Sequence, residues 1–214
     1  MMMMIWLTGF GTGLGLIVAI GAQNVFVLTR GMRGDHPVAI PLACFLSDVV
    51  LMTLGVGGLG AAFASDRTAL ALASAAGALF LAWYGLRSLR AAFGNGALVA
   101  DADSSGKEGL GKALAATMAV TLLNPHVYLD GVVLMGSLGS RFPGNERWSF
   151  LGGALCASLL WFFGLSLFGR ILAPVLSRPR TWRIMQAGIC ALLWFQAAGL
   201  GRFAVSRFAA SRFF

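Results

Sequence analysis

Long apolar runs separated by short polar gaps make up almost the whole chain. A helix that crosses the hydrocarbon core of a membrane needs about 20 mainly apolar residues, and six runs of about this length or longer can be read along the sequence. Their apolar residues are too continuous for the alternating strands of a membrane barrel. The six predicted spans are Ile5–Leu28, Pro37–Ala64, Ala69–Phe93, Ala113–Leu138, Trp148–Leu176 and Trp182–Val205.

One stretch between the third and fourth runs, Gly94–Lys112, is clearly polar and reads as a flexible linker. It leaves three spans on each side, so the second half enters the membrane from the opposite face, as in the inverted repeats of transporters. We therefore predict an all-α integral membrane protein of about six transmembrane helices in two inverted three-helix repeats. The predicted domains are residues 1–93, the linker 94–112, and residues 113–214 with a short basic tail.

The composition supports a membrane protein. Of the 214 residues, 58% are hydrophobic and 11% charged, with a mean hydropathy of +0.81. A soluble domain carries about 25% charged residues to cover its surface. The low charge content excludes a soluble enzyme and a disordered chain.

The charges are unbalanced, with 16 Lys and Arg against 8 Asp and Glu. Most cations lie in the gaps between runs, where they set orientation in the membrane, so no nucleic-acid partner is expected. Ten cations fall on one side, including Arg30 and Arg33 in the gap after the first run. Six fall on the other, including Arg202 near the end of the last run. The ten-cation side should be cytoplasmic, which places both termini outside.

Two carboxylates, Asp48 and Asp130, lie well inside apolar runs, with no Lys or Arg near the centre of any run. A carboxylate at the bilayer centre costs at least ~2.5–3.5 kcal/mol on insertion scales. One interpretation is that they tie helices together through hydrogen bonds to Ser47, Tyr128 or a neighbouring Arg. The other is that they contact a cationic substrate or a proton.

The first and fourth runs carry signals that interrupt a helix. Gly21 precedes two amides, Gln23 and Asn24, and Asn124-Pro125 resembles a helix start, because Asn is a common cap and Pro suits the first turn. A half-helix that begins inside the membrane presents free N–H groups and a partial positive charge, which suit a carboxylate ligand. The alternative is a simple proline kink.

The remaining chemistry-bearing residues are few. His126 has no partner at metal-ligand spacing and reads as a polar link between helices or as a proton relay. The three cysteines lie in apolar runs without a C-x-x-C pair, so neither a disulfide framework nor a metal or cofactor site is expected. Gly55–Gly60 matches G-x-G-x-x-G but lies within a run. With Gly11 and Gly15, it should allow close helix packing rather than dinucleotide binding.

Five motifs in this order and spacing resemble the LysE family of amino-acid exporters: Gly21–Asn24, Ser47–Val49, Trp83–Gly85, Leu123–Asp130 and Trp161–Phe163. The resemblance extends over nearly the whole chain and is strongest to the arginine- and lysine-exporting members. It implies a bacterial inner-membrane exporter of basic amino acids. Many relatives carry Pro where this chain has Ala22, which implies a softer break in the first helix.

This interpretation assigns roles to individual residues. The half-helix starts near Asn24 and Asn124 suit the substrate carboxylate, and Asp48 and Asp130 suit its two cationic groups. Moving one positive charge outward costs ~2.3 kcal/mol per 100 mV, and the sequence has no nucleotide motif. We therefore expect exchange with protons through Asp48 or Asp130. The predicted substrate-binding residues are Gln23, Asn24, Asp48, Asn124, His126, Tyr128 and Asp130, with helix breaks at Gly21 and Pro125.

The expected partners are a basic amino acid, protons and the lipid bilayer, and a homodimer is one of the assemblies left open. Three alternatives also stay open at this point. The chain could export other amino acids, as some family members do, or act as a passive channel. It could also be a membrane-embedded enzyme that uses Asp48 and Asp130 as an aspartyl dyad.

Overall fold

The computed structural model describes residues 1–18, 21–59, 67–93, 109–176 and 179–211, and every regular element within these ranges is helical. The first half contains α1 (Met2–Ile17), α2 (Ala22–Arg33), α3 (Ala39–Leu54), a π-helical segment (Gly55–Leu59) and α4 (Arg67–Phe93). The second half contains α5 (Leu110–Leu122), α6 (Pro125–Tyr128), a second π-helical segment (Leu129–Leu134), α7 (Met135–Gly139), α8 (Glu146–Leu176) and α9 (Pro179–Ser211).

Several of these helices suit a membrane. Among the described residues, three stretches are long and apolar enough to cross a bilayer by length and composition: Ala39–Gly58, Glu146–Pro174 and Arg180–Ser206. The pair α1 and α2, whose axes differ by 83°, would add a fourth if it forms one bent span. The predicted all-helical membrane architecture is confirmed, whereas the arrangement of six spans in an inverted repeat stays a prediction.

The first and fourth apolar runs are each divided into shorter helices. In the first run α1 ends at Ile17, and α2 begins at Ala22 after Gly21, whose backbone is extended. In the fourth run α5 ends at Leu122, and the next helix begins at Pro125. Proline suits this first helical position because its missing N–H has no partner within the helix anyway.

The linker boundary differs from the prediction. Residues 94–108 lie outside the part of the chain that the structure describes, as do residues 212–214 of the basic tail. However, α5 already begins at Leu110, so the last residues assigned to the linker, up to Lys112, are helical. The helix continues into the apolar run, where Ala113 and Thr117 are buried.

The structure also corrects the placement of Arg30 and Arg33, which belong to the last turn of α2 rather than to a gap. The helix ends at Gly34 (φ 66°), with the Gly34 N–H bonded to Gly31 O and the Asp35 N–H to Arg30 O, both at 3.0 Å. These two bonds form a Schellman motif. The Arg30 guanidinium is buried because it pairs with the Asp35 carboxylate at 3.1 Å and stacks on the Phe26 ring.

Glycines bring helix backbones together, but they are largely not the predicted ones. A Cβ added at Gly11 or Gly15 would meet no other atom within 4 Å, whereas a Cβ added at Gly9 would overlap the backbone of Phe150. On the same seam, a Cβ on Gly153 would overlap the carbonyl of Trp6. The contact face of α1 is therefore rotated by two residues from the predicted one, and it packs along α8.

Gly55 does allow the close helix packing that was predicted for the glycines of Gly55–Gly60, and it does so between the two halves of the chain. A Cβ on Gly55 would lie 2.5 Å from Val132 O, and a Cβ on Gly136 would lie 2.6 Å from Gly55 O. The first π-helical segment therefore packs backbone to backbone against the second π-helical segment and α7. Gly57 and Gly58 have nothing within 4 Å and take no part in this contact.

We expect Gly9→Ala to destabilise the protein by about 1–3 kcal/mol, the usual cost of forcing extra atoms into a packed contact. Gly11→Ala on the same helix is the matched control and should change stability by less than about 1 kcal/mol, in the stabilising direction. Thermal unfolding of the detergent-solubilised variants measures both effects. Equal unfolding temperatures for the two variants would contradict the close contact between α1 and α8.

Candidate functional site

A cavity of about 530 Å³ lies where the two interrupted helices meet α3 and α9. Its volume falls in the range of small-molecule pockets, about 300–1,000 Å³. Both halves of the chain contribute to its wall. Its polar and charged lining residues, among those described, are Gln23, Asn24, Asp48, Asn124, Asp130, Gln196 and Arg202.

Five of the seven predicted substrate-binding residues line this cavity, namely Gln23, Asn24, Asp48, Asn124 and Asp130. Gly21, at the first helix break, also lines it. Tyr128 is not among the lining residues. The side chain of His126 lies outside the part of the chain that the structure describes. The cavity therefore brings together residues that are about 100 positions apart in the sequence.

Asp48 is 7% exposed, and its carboxylate oxygen Oδ2 accepts a hydrogen bond of 2.7 Å from the Ser158 hydroxyl. This bond joins α3 to α8. Ser47, the partner considered from the sequence, donates instead to the carbonyl of Ala43 in its own helix. The side chains of adjacent residues in a helix point in different directions, so the Ser47 hydroxyl does not face the Asp48 carboxylate. Asp48 therefore both ties two helices together and lines the cavity.

Asp130 lies in the second π-helical segment, beside the buried Gly131. A π-helical turn widens the backbone spiral by one residue and is frequent at functional sites. The Asp130 carboxylate is half-buried and lines the cavity. Two carboxylates from different helices thus share one cavity.

Side chains from elsewhere satisfy backbone groups at the first break. The Ala22 N–H, the first of α2, donates to Oε1 of Gln196 on α9 at 3.0 Å. A proline at position 22 could not make this bond, because proline has no N–H. Asn24 spans the break itself, since its Nδ2 donates to Ile17 O at 2.7 Å and its Oδ1 accepts from Trp161 Nε1 at 3.2 Å.

The second break uses a comparable device. The Tyr128 hydroxyl donates to the carbonyl of Leu122, the last residue of α5, at 2.9 Å. The Val127 N–H donates to Asn124 O at 3.2 Å and closes the first turn after the break. Tyr128 at the second break and Asn24 at the first therefore both reach back to the end of the preceding half-helix.

Three further residues belong to the site but were not predicted from the sequence: Ser158, Gln196 and Arg202. Each is a polar residue inside an apolar run, which is the signal that could have revealed it. Arg202 was counted among the cations of the outer side, near the end of the last run, but it lines the cavity. The cavity therefore contains a cation in addition to the two predicted carboxylates.

The part of the chain that contains the cavity matches known proteins. The family model described as LysE type translocator matches residues 14–202, which include every described lining residue of the cavity. The chain is 46% identical over 175 residues to YggA of Aeromonas salmonicida, named as a candidate amino-acid transporter, covering 81% of this chain and 84% of the relative.

Two further relatives are named arginine exporter protein ArgO. The protein from Pectobacterium carotovorum subsp. carotovorum is 37% identical over 201 residues, with 94% of this chain and 98% of the relative covered. The protein from Salmonella enteritidis is 40% identical over 194 residues, with 91% and 92% covered. No solved structure matches the chain.

The hydrogen bond from the Ser158 hydroxyl to Asp48 gives a test with a matched control. We expect Ser158→Ala to lower the free energy of unfolding by about 1.5–3 kcal/mol, the range for hydrogen bonds to charged groups. Ser47→Ala should have a much smaller effect, because its hydroxyl bonds a carbonyl that is already part of the helix ladder. Thermal unfolding in detergent compares the two variants. A loss for Ser158→Ala no larger than that for Ser47→Ala would contradict a strong bond between Ser158 and Asp48.

Proposed function

The chain belongs to the LysE family of translocators, and from this we propose that it exports basic L-amino acids, arginine foremost and lysine in second place. Export would run across the bacterial inner membrane in exchange for protons. Members of this family are amino-acid exporters, so the protein is a transporter and the aspartyl enzyme is excluded. Two of the relatives carry the name of an arginine exporter, which supports arginine as the substrate.

The observation that carries the proposal is the presence of Asp48 and Asp130 in one cavity. Charged groups in a membrane interior are expensive and are retained where they contact a substrate, an ion or each other. A basic amino acid has two cationic groups, whereas a neutral amino acid has one. Two carboxylates therefore favour a basic substrate over a neutral one.

The amides of the first break supply the polar lining. Gln23 lines the cavity, and its Nε2 is buried with no oxygen or nitrogen acceptor, beside the weakly accepting sulfur of Cys44. An unpaired buried donor costs free energy, about 1–3 kcal/mol in mutational data. A substrate oxygen that accepts from this amide would recover that cost. Gln23 is accordingly assigned to substrate binding, and Asn24 and Asn124 line the same cavity.

Exchange of the two halves maps several of the helix pairings onto one another, which supports an inverted repeat. The third helices of the halves, α4 and α9, pack against each other. The first helix of each half packs on the second helix of the other, α1 on α8 and α5 on α3. With the distribution of cations, this arrangement favours both termini outside.

Proton exchange follows from the charge that is moved. Export of a monocation against an inside-negative potential costs ~2.3 kcal/mol per 100 mV, and an inward proton cancels that charge movement. Asp48 is assigned to the proton because its carboxylate is the more deeply buried of the two and accepts its hydrogen bond from a neutral hydroxyl. A carboxylate that holds either the proton or the substrate couples their movements.

Counterflow in liposomes tests the substrate. Purified protein should accumulate labelled arginine inside vesicles loaded with unlabelled arginine, and the initial rate should saturate with concentration. Unlabelled lysine should compete, whereas citrulline, which has nearly the shape of arginine but no side-chain charge, should compete at least about 10-fold less well. Flux that rises linearly without saturation would indicate a channel. Better competition by threonine or leucine would indicate another substrate class.

Asparagine substitutions separate the roles of the two carboxylates. Asp48→Asn and Asp130→Asn should each weaken arginine binding by about 10- to 100-fold, because each loses a charge-assisted hydrogen bond. Asp48→Asn should still exchange arginine for arginine but should not concentrate it under a pH gradient. Glu146→Gln, at the start of α8 and away from the cavity, is the matched control. Wild-type transport by both Asn variants at equal membrane levels would contradict the carboxylate site.

A further inference from the structure

Arg202 is a cation in the wall of a cavity that is proposed to bind a cationic substrate. It lies on α9 at the end of a series with three-residue spacing, Gln196, Gly199 and Arg202, all of which line the cavity. Residues spaced by three share one face of a helix. A Cβ on Gly199 would meet nothing within 4 Å, so this face is open between Gln196 and Arg202. Arg202 itself is exposed.

The charges of the cavity complement those of a basic amino acid. Among the described lining residues, the charged ones are Asp48, Asp130 and Arg202, two negative and one positive. Arginine and lysine carry two positive groups and one carboxylate. The cavity therefore has one group of opposite sign for each charge of the substrate, provided that Arg202 serves the carboxylate.

The groups first expected to hold the carboxylate are already engaged at the first break. The leading N–H of α2, at Ala22, donates to Gln196. The amide of Asn24 bonds both Ile17 O and Trp161. A guanidinium, in contrast, can donate two parallel hydrogen bonds to a carboxylate in a fixed planar geometry.

We propose that Arg202 binds the α-carboxylate of the substrate, and that it is the residue by which the transporter distinguishes an amino acid from the corresponding amine. This assignment rests on the proposed function and deepens it, since it specifies recognition at the other end of the substrate from the carboxylates. An interfacial arginine that only anchors α9 would have no such selectivity, because its charge would face lipid headgroups and water.

Competition by agmatine, which is arginine without its carboxylate, tests the assignment in the same liposomes. The readout is the half-inhibitory concentration of unlabelled arginine and of unlabelled agmatine against labelled arginine. In the wild type, arginine should compete about 10- to 100-fold better than agmatine. Arg202→Gln should lose most of this preference by weakening arginine, with agmatine unchanged or improved. Arg202→Lys should lose part of it, because an ammonium keeps the charge without the bidentate geometry.

Arg183→Gln is the matched control, since Arg183 is an exposed arginine of the same helix that does not line the cavity. It should retain the wild-type preference. An equal loss of arginine and agmatine in Arg202→Gln, at normal unfolding temperature, would overturn the assignment in favour of anchoring. If Arg202→Gln does not fold, an unchanged preference in Arg202→Lys overturns it equally. Absence of arginine exchange in the wild type would contradict the proposed function itself, and with it this assignment.

Discussion

The requirement that backbone polar groups inside a membrane find partners within the protein governs the rest of this structure. Water is absent from the hydrocarbon core, so each carbonyl and N–H freed at a helix break must bond elsewhere in the protein. Asn24 serves Ile17 O, Tyr128 serves Leu122 O, and Gln196 accepts from the Ala22 N–H. These bonds allow two helices to be interrupted, and the cavity lies between the interruptions.

The same bonds decide which groups remain for a ligand. Side chains that support the breaks are largely occupied, as in the case of Asn24 and Tyr128. The groups that carry charge in the cavity, Asp48, Asp130 and Arg202, come from α3, the second π-helical segment and α9. Support of the backbone and recognition of the substrate are therefore divided between different residues. Polar residues near the breaks therefore look alike in the sequence, although some support the backbone and others are available to bind the substrate.

Much of the fold could be predicted, because it depends on local properties of the chain. Apolar runs of membrane length predicted helices, and Asn124-Pro125 predicted the start of a helix at Pro125. Predictions failed where they needed the orientation of a helix about its own axis. Gly9 rather than Gly11 contacts α8, and Ser158 rather than Ser47 bonds Asp48. A shift of one or two residues turns a side chain by about 100° or 200°, since a helix has 3.6 residues per turn.

The sequence by itself determined the solvent of this protein, its helical class, the two interruptions and the pair of carboxylates buried in apolar runs. These follow from composition and from the cost of placing charge or proline in a helix in lipid, which are the same in any arrangement of the helices. The tertiary structure alone decided that Ser158 would satisfy Asp48, that Gln196 would take the first N–H of α2, and that Arg202 would line the cavity. The first two contacts join residues more than 100 positions apart in the chain, and the third depends on which face of α9 turns inward. Local periodicity of the sequence encodes neither a distant pairing nor the orientation of a helix.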